Sequence, residues 1–538
     1  RISFNKGILS RIECNLLNLT TMKKIHIITI LVAVFIFMMS CSESLLDLNP
    51  TNKYTEDIFW KSETQADAGL AACYETLRNT GIYGGGGWTT PLWEETATPN
   101  ATDYNSSSGF YQIGGGTHDA SNTGIINNRW GHSYEGIGRC NTLIDRIGDI
   151  AMSETKKTTM IAEAKFLRAV YYSLLINYYG DAPLILEAPK LEHKTLPRTP
   201  KDQIFTQIIK DLDEAAAVLP VNAAMPGKPT KGACYALKAR QYLYHGKFSE
   251  AATSAKQVMD MNKYSLFPDY RALFMPENEN NQEVIFDVQY LYPNYCHSFD
   301  LINRQYNTNA PLRDLVDAYL MKDGSTIEES ADYNAATYWE NRDPRFRMTL
   351  VWPGSKYMGK TVTNTQFAQT GYTFKKYGIY DEDNQYNKVI LNASESDINY
   401  IVLRYADILL MYAEAKTELN EVDQSVFDAF NLVRTRAGMP GLQSTDPSLP
   451  TYVAMGDQEE MRKAIRLERR IEFAAEGYYY MDILRWKIAH IVNNGPIFTY
   501  NYTQKLVRKF TNPRDYLWPV PSYEIQENPA LAPNNAGW

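Results

Sequence analysis

The stretch 231–262, KGACYALKARQYLYHGKFSEAATSAKQVMDMN, constrains the fold more than any other part of the 538-residue chain. Small residues recur in it at helical spacing: Ala233, Ala236 and Ala239 before the turn at Gly246, then Ala251, Ala252 and Ala255 after Phe248. Such stripes let two helix backbones approach closely, so the stretch predicts a tightly packed helix pair. The same style extends along the chain. Residues 62–79 are amphipathic, with Ala66, Leu70, Cys73 and Leu77 on one face. Helices are also predicted over 130–147, 158–179 (stopped by Gly180-Asp181-Ala182-Pro183), 403–419, 427–437 and 459–476. A further one covers 200–219, with Pro200 suited to a first-turn position.

The helical text is interrupted twice. Gly and Asn concentrate over 81–128, in GIYGGGGW and NATDYNSSSGFYQIGGG, which predicts a long ordered loop system rather than helix. Residues 283–290, EVIFDVQY, alternate as a short strand and run into an aromatic loop, LYPNYCHSF. Residues 321–400 read as turns and short pieces, and the four prolines of YLWPVPSYEIQENPALAPNNAGW predict an irregular tail. The fold class is therefore all-α, a scaffold of helix pairs carrying long loop-rich segments and a few short strands. The 231–262 pair resembles a tetratricopeptide unit, although the copies are too divergent for a regular array.

Residues 22–41, MKKIHIITILVAVFIFMMSC, have the layout of a secretory signal: basic Lys23 and Lys24, an apolar run, then small Ser40. The run is too short for a comfortable membrane span. A cysteine directly after it resembles a bacterial lipoprotein box, so Cys41 is expected to be acylated and to begin the mature chain. Residues 1–21 are expected to be upstream sequence, with Met22 as the start.

Several function classes find no support. A net charge of −8 argues against nucleic acid and leans away from strongly anionic polysaccharides. The run Gly84–Gly87 lacks the Gly-Lys-Ser/Thr of a phosphate loop. The seven histidines are scattered and pair with no carboxylate at ligand spacing, so neither metal nor other cofactor is predicted. Cys73, Cys140, Cys234 and Cys296 fit no zinc or compact disulfide framework; one disulfide and buried free thiols both remain open. Glu94 and Glu95 are adjacent, and adjacent side chains usually point apart, which disfavours a glycosidic carboxylate pair. Gly354-Ser355 does not complete a nucleophile elbow.

Tyrosine is the remaining signal, 38 residues in all. Sugars offer apolar C–H faces that stack on rings, and hydroxyls that need amide or carboxylate partners. Trp88, Asn100, Asp103, Tyr104, Tyr111, Tyr292 and Tyr295 supply both in the loops. For any one of them a core or loop-anchoring role is the commoner reading; as a set they predict a glycan-binding surface.

Longer stretches carry a resemblance. CSESLLDLNP, WGHSYEGIGRCNTLIDRI (Trp130, Tyr134, Ile137, Asn141), AEAKFLRAVYYSLLINYYGDAPLIL and LVDAYLMKDGS occur in that order, followed by YWENRDPRFRMTL and LRYADILLMYAEAKTELN. VRTRAGMP, IRLERRIEFAAEGYYYMDILRW and YLWPVPSYEIQENPAL complete the series. From Cys41 to Trp538 the chain resembles the SusD/RagB family of outer-membrane nutrient-binding lipoproteins of Bacteroidetes. The resemblance implies a leader over 22–40 and two regions, 41–270 and 271–538, packed as one unit. It implies a lipid-anchored protein facing the cell exterior, partnered with a SusC-like TonB-dependent transporter to which it passes oligosaccharide or polysaccharide without breaking bonds. Peptide capture, as in RagB-like relatives, is the alternative; hydrolysis by Glu94 or Glu95 is a third. Calcium occurs in some members, but no calcium loop is recognisable. The family motifs predict buried ion pairs for Arg342, Asp343 and Arg345, and one shared helix face for Arg469, Glu472 and Glu476.

Overall fold

The computed structural model describes residues 59–84, 90–105, 108–121, 123–382 and 391–538, together with Lys24. The signal segment, Cys41 and Trp88 lie outside these residues. Glu63–Trp538 forms one unit and Arg1–Ser62 another; the account below concerns the former.

Nine long helices dominate it: α1 (Glu63–Glu75), α2 (Gly124–Arg146), α3 (Glu154–Tyr179), α4 (Lys201–Val218), α5 (Lys231–Tyr244), α6 (Phe248–Asp260), α7 (Tyr405–Glu418), α8 (Gln424–Arg436) and α9 (Gln458–Glu472). Four begin on side-chain caps: Ser153, Thr230, Asp423 and Asp457 accept the N–H of Lys156, Ala233, Ser425 and Glu460. Pro200 stands at the N-cap of α4, one place earlier than predicted. Among the described residues no helix is long and apolar enough to cross a membrane.

Consecutive helices pack on one another from α1 to α6. The stack then skips the insertion between Asp260 and Tyr405: α6 packs against α7, and α7 against α8 and α9. The small-residue stripe does what its spacing requires, since Ala233, Ala236, Ala239, Ala251 and Ala255 have no exposure at all. A closer approach occurs between α2 and α3, where a Cβ on Gly136 would come within 2.5 Å of the Tyr171 ring. The all-α scaffold of helix pairs is thus the observed architecture.

Much of the tyrosine excess fills this core rather than a surface. Tyr171, Tyr172, Tyr178 and Tyr179 of α3 are all buried. Each hydroxyl has an acceptor: the carbonyls of Cys73, Ile185 and Ile126 for Tyr171, Tyr172 and Tyr179, and Glu94 Oε2 for Tyr178. Cys73, Cys140, Cys234 and Cys296 are free thiols, the first three buried.

The insertion contains only two-stranded sheets. Strand β1 (Val284–Val288) pairs antiparallel with β2 (Tyr400–Arg404), joining Val284 to Arg404 and Val288 to Tyr400. The alternation in EVIFDVQY predicts a half-exposed strand, yet Ile285 to Val288 are all buried, because helices and loops cover both faces. The insertion also has an apolar core of its own, in which Tyr319, Phe346, Trp352 and Phe374 meet Ile471 and Ala474 at the end of α9.

Buried charges fasten these parts together. Arg404, fully buried, donates to Glu283 at 2.8 Å, Glu472 at 2.7 Å and Glu476 at 2.7 Å. Arg345 reaches Asp343 at 2.7 Å, Glu468 at 2.5 Å and Glu472 at 2.9 Å. Arg436 adds Glu283 at 2.8 Å, and Lys376 adds Glu476 at 2.6 Å. Two expectations are corrected here. Among the described residues Arg342 makes no ion pair; it donates to the carbonyls of Tyr338 and Val316, each at 2.7 Å, and so cross-links backbone. Arg469 and Glu472 stand one turn apart on α9, but Glu476 lies beyond it, and Arg469 bonds to a different set of carboxylates, Asp407 and Asp482, both at 2.9 Å.

Burial alone raises the pKa of Glu472, but Arg436, Arg404 and Arg345 outweigh it and hold the carboxyl well below the ordinary range. Its stabilisation is therefore complete above the unfolded value of about 4.3 and is lost as pH falls below it. Glu472→Gln leaves three guanidinium groups short of a partner and is expected to cost roughly 3–5 kcal/mol near neutrality. Denaturant titrations at neutral and acid pH should show this gap, and show it shrinking as pH drops below about 4.

Candidate ligand-binding face

The glycine-rich segment is not one loop. Thr90–Glu94 and Phe110–Gly115 are short helices, and α2 starts at Gly124, six residues ahead of the predicted start. Phe110 and Ile113 bury themselves at i,i+3 spacing, which makes a helix of a glycine-rich run. A Cβ on Gly114 would stand 2.7 Å from the Thr96 carbonyl, so glycine here permits a close backbone approach.

Several predicted residues work inside the fold. Glu94 accepts from Arg129 and Tyr178, each at 2.6 Å. Glu95 accepts from Asn100 Nδ2 at 2.8 Å and from the Gly477 N–H at 3.1 Å, and burial pushes its carboxyl up to about 7. The two carboxylates point apart into separate bonding sets. Asn100 is wholly buried; besides its bond to Glu95, its Oδ1 accepts from Arg470 Nε at 2.8 Å. With both ends of its amide engaged, Asn100 is a structural residue and not a surface contact. Asp103 is corrected in the same way. It is 2% exposed, and Oδ1 accepts the N–H of Tyr104 at 2.7 Å and of Asn105 at 2.8 Å, while Oδ2 accepts from Ser108 Oγ at 3.4 Å. It shapes the turn that presents Tyr104.

The tyrosines differ from these. Among the described residues seven tyrosines count as exposed, and Tyr104, Tyr111, Tyr292 and Tyr295 are four of them. They occupy two corners. In the first, the pairing of Ala101–Thr102 with Ala310–Pro311 brings the Asp103 turn beside Tyr306, which is itself exposed and an electrostatic neighbour of Tyr104. Tyr111 stands on the nearby Phe110–Gly115 helix. In the second corner, paired 2.8 Å backbone bonds between Leu291 and Tyr295 close a turn carrying Tyr292 and Tyr295, which are 58% and 49% exposed. The Tyr292 N–H donates to Asp397 Oδ2 at 3.2 Å, and the Arg78 guanidinium lies 4.1 Å from the centre of the Tyr295 ring. Tyr290 links this turn to the Tyr83 carbonyl at 3.4 Å, beside the glycine segment. No ring pairing or hydrogen bond among the described residues joins the two corners.

Tyr306, Arg78 and Asp397 escape sequence reasoning. Tyr306 is set apart from buried tyrosines by the left-handed Asn307 that follows it, a faint signal at best. Arg78 and Asp397 become neighbours of the aromatic turn only through tertiary packing.

Two concavities among the described residues are lined by none of the exposed rings. One, of about 80 Å³, sits behind Tyr83 among Arg129, Tyr178, Arg240 and Tyr400, and is too small for a glycosyl unit. Another, of about 550 Å³, is bounded by 221–230 and 280–287. The rings stand exposed on two separate corners rather than inside a cavity, which suits a polymer better than a small molecule. Among the described residues, three acidic or histidine side chains come within metal-ligand spacing only at Glu187, Glu192 and His193. That trio does not fit a cation: the Lys190 ammonium already lies 2.5 Å from Glu187, and His193 Nδ1 accepts the Lys190 N–H, so Nε2 carries the proton facing Glu187.

The chain matches two family descriptions, "SusD family" over 282–538 and "Starch-binding associating with outer membrane" over 45–243. SusD-like protein P2 of Formosa agariphila is 26% identical over 523 residues, which are 94% of this chain and 98% of that one. The starch-binding protein SusD of Bacteroides thetaiotaomicron is 29% identical over 161 residues, 28% of each chain. Among solved structures, a SusD-like carbohydrate-binding protein of Bacteroides fragilis superposes with a TM-score of 0.78 at 27% identity, covering 88% of this chain and 99% of that one. A laminarin-binding SusD-like protein superposes with a TM-score of 0.65 at 24% identity, covering 89% of this chain and 100% of that one, a likeness of fold.

Burial pushes the Asp103 carboxyl up to about 7 against three weak donors, with no cation among its partners. A raised carboxyl pKa means that the folded state loses stability as pH climbs from about 4 to about 7. Asp103→Asn keeps one acceptor and removes the titration. The difference in unfolding free energy between variant and parent should move in favour of the variant by about 2 kcal/mol between about pH 5.5 and pH 8, measured by chemical denaturation.

Proposed function

Because the chain belongs to the SusD family, we propose that it is a glycan-capturing lipoprotein of the outer membrane, which delivers oligosaccharide or polysaccharide to a SusC-like TonB-dependent transporter. The observation that carries the reading is the set of exposed tyrosine rings on turns whose backbones are pinned by buried or half-buried polar groups. A ring held in place loses little entropy on binding and stacks on the C–H face of a sugar. Tyr104 is held through Asp103, Tyr292 through Asp397, and Tyr295 under Arg78. Carboxylates beside the rings accept hydroxyl protons. No bond need break in such a cycle, and Glu94 and Glu95 are occupied elsewhere in the fold. An acylated Cys41 would tether the protein, and several acyl chains on one residue hold a membrane stably where one does not.

Two measurements bear on this. In native gels containing single polysaccharides, the protein should be retarded by at least one, and Tyr292→Ala or Tyr104→Ala should weaken retardation by about tenfold, the equivalent of roughly 1.4 kcal/mol. Peptides co-purifying with the protein, with no polysaccharide retarding it, would favour peptide capture instead. In fractionated cells, Cys41→Ala should move the protein out of the membrane fraction; unchanged membrane recovery would sink the lipid anchor.

A further inference from the structure

The fixed charges around the exposed rings bear on the chemical class of the ligand, an inference that rests on the capture reading above. The Tyr292–Tyr295 turn sits on carboxylates. Asp397 accepts the Tyr292 N–H at 3.2 Å, and Asp397 and Glu395 are both charged neighbours of Cys296, the residue after Tyr295. Glu395 accepts the N–H and Nδ2 of Asn392, and those bonds hold its carboxyl below the ordinary range, so it stays ionised with lone pairs to spare. Asp397 also faces Glu279, which faces Asp287 in turn. Burial, and after it the neighbouring Asp287 and Asp397 carboxylates, push Glu279 up to about 7.

Against four carboxylates stands Arg78. Its guanidinium face covers the Tyr295 ring at 4.1 Å, and its Nη1 points at the Gln289 carbonyl 3.5 Å away. At the other corner Asp103 is the charged neighbour of Tyr104. Arg304, two residues before Tyr306, turns inward to the Leu391 carbonyl at 3.1 Å and the Tyr380 ring. The Tyr292–Tyr295 turn therefore meets its ligand with negative charge and hydrogen-bond acceptors, whereas Asp103 at the other corner is buried.

We propose that the ligand is a neutral, hydroxyl-rich glycan, and that Asp397 and Glu395 select for it. A sugar stacked on Tyr292 or Tyr295 directs its ring hydroxyls to the edge of the turn, where an ionised carboxylate takes a short charge-assisted hydrogen bond. A uronate or sulfate in the same place meets the like charge of these carboxylates, against which the described residues set Arg78, already engaged by the Tyr295 ring and the Gln289 carbonyl.

The test is affinity electrophoresis of the protein in starch, laminarin, mannan and xylan gels, beside polygalacturonate, dextran sulfate and the carboxymethyl derivative of whichever neutral polymer retards it. Each gel is run with calcium and with chelator, because a cation on the carboxylates would change their field. The expected result is retention by a neutral polymer, at least about tenfold weaker retention by its carboxymethylated form, and none by polygalacturonate or dextran sulfate. The double variant Asp397→Asn, Glu395→Gln keeps an acceptor for the Tyr292 N–H and should narrow that tenfold gap with its melting profile unchanged. Retention by an anionic polymer equal to or stronger than by a neutral one, in either buffer, overturns the class while leaving glycan capture standing. A gap that the folded double variant leaves untouched removes the selecting role from these two residues. Failure of the folded protein to bind any polymer rejects capture itself, and the class falls with it.

Discussion

Arg404 is the point on which the architecture turns. It ends β2 and opens α7, and its guanidinium reaches Glu283 before β1, Glu472 at the end of α9 and Glu476 in the following turn. Arg345 and Lys376 enter the same set from the insertion, and Arg436 enters from α8. Apolar packing brings helices together with little say over their exact register. Charges taken out of water are different, since each is tolerated only where its partner arrives. The cluster thus fixes how the insertion, the strand pair and the last three helices meet, and a misplaced element strands a charge.

The rim follows from that fixed interior. The elements that present Tyr104 and Tyr292 rest on Arg470, Glu95, Asn100 and Asp397, two of them buried and two half-buried, and several tied to the end of α9. The motif residues Arg345, Arg404, Glu472 and Glu476 are interior, and they determine where the loops depart. What the loops carry at their tips is set separately, by residues with few neighbours to satisfy.

That division explains what could be read from sequence. Helix periodicity locates the stack because each apolar stripe obeys a local rule, as Ala66, Leu70 and Cys73 do. Exposure of Tyr104, Tyr292 and Tyr295 was legible for a related reason: each sits amid Gly, Asn or Pro where no helix face can bury it. Asn100 and Asp103 share that setting yet point inward, since their partners Glu95, Arg470 and Ser108 are found only in three dimensions. Arg342 shows the same limit. Its motif reads as an ion pair, but backbone carbonyls converge on it from the Arg313–Ala318 helix and beyond. The alternation of β1 misleads because both of its faces are covered.

The packing of α6 on α7 carries a consequence for how the chain is made. Those helices touch directly although the whole insertion from Asp260 to Tyr405 intervenes. Each of the first six helices packs on its neighbours in sequence, and local contacts form quickly. The seventh has to wait for a long stretch to emerge and collapse before its seat on the sixth is within reach, at a loop-closure penalty that grows slowly with length. A chain that emerges from its N-terminus therefore leaves the apolar flank of α6 uncovered until the insertion and α7 have been made.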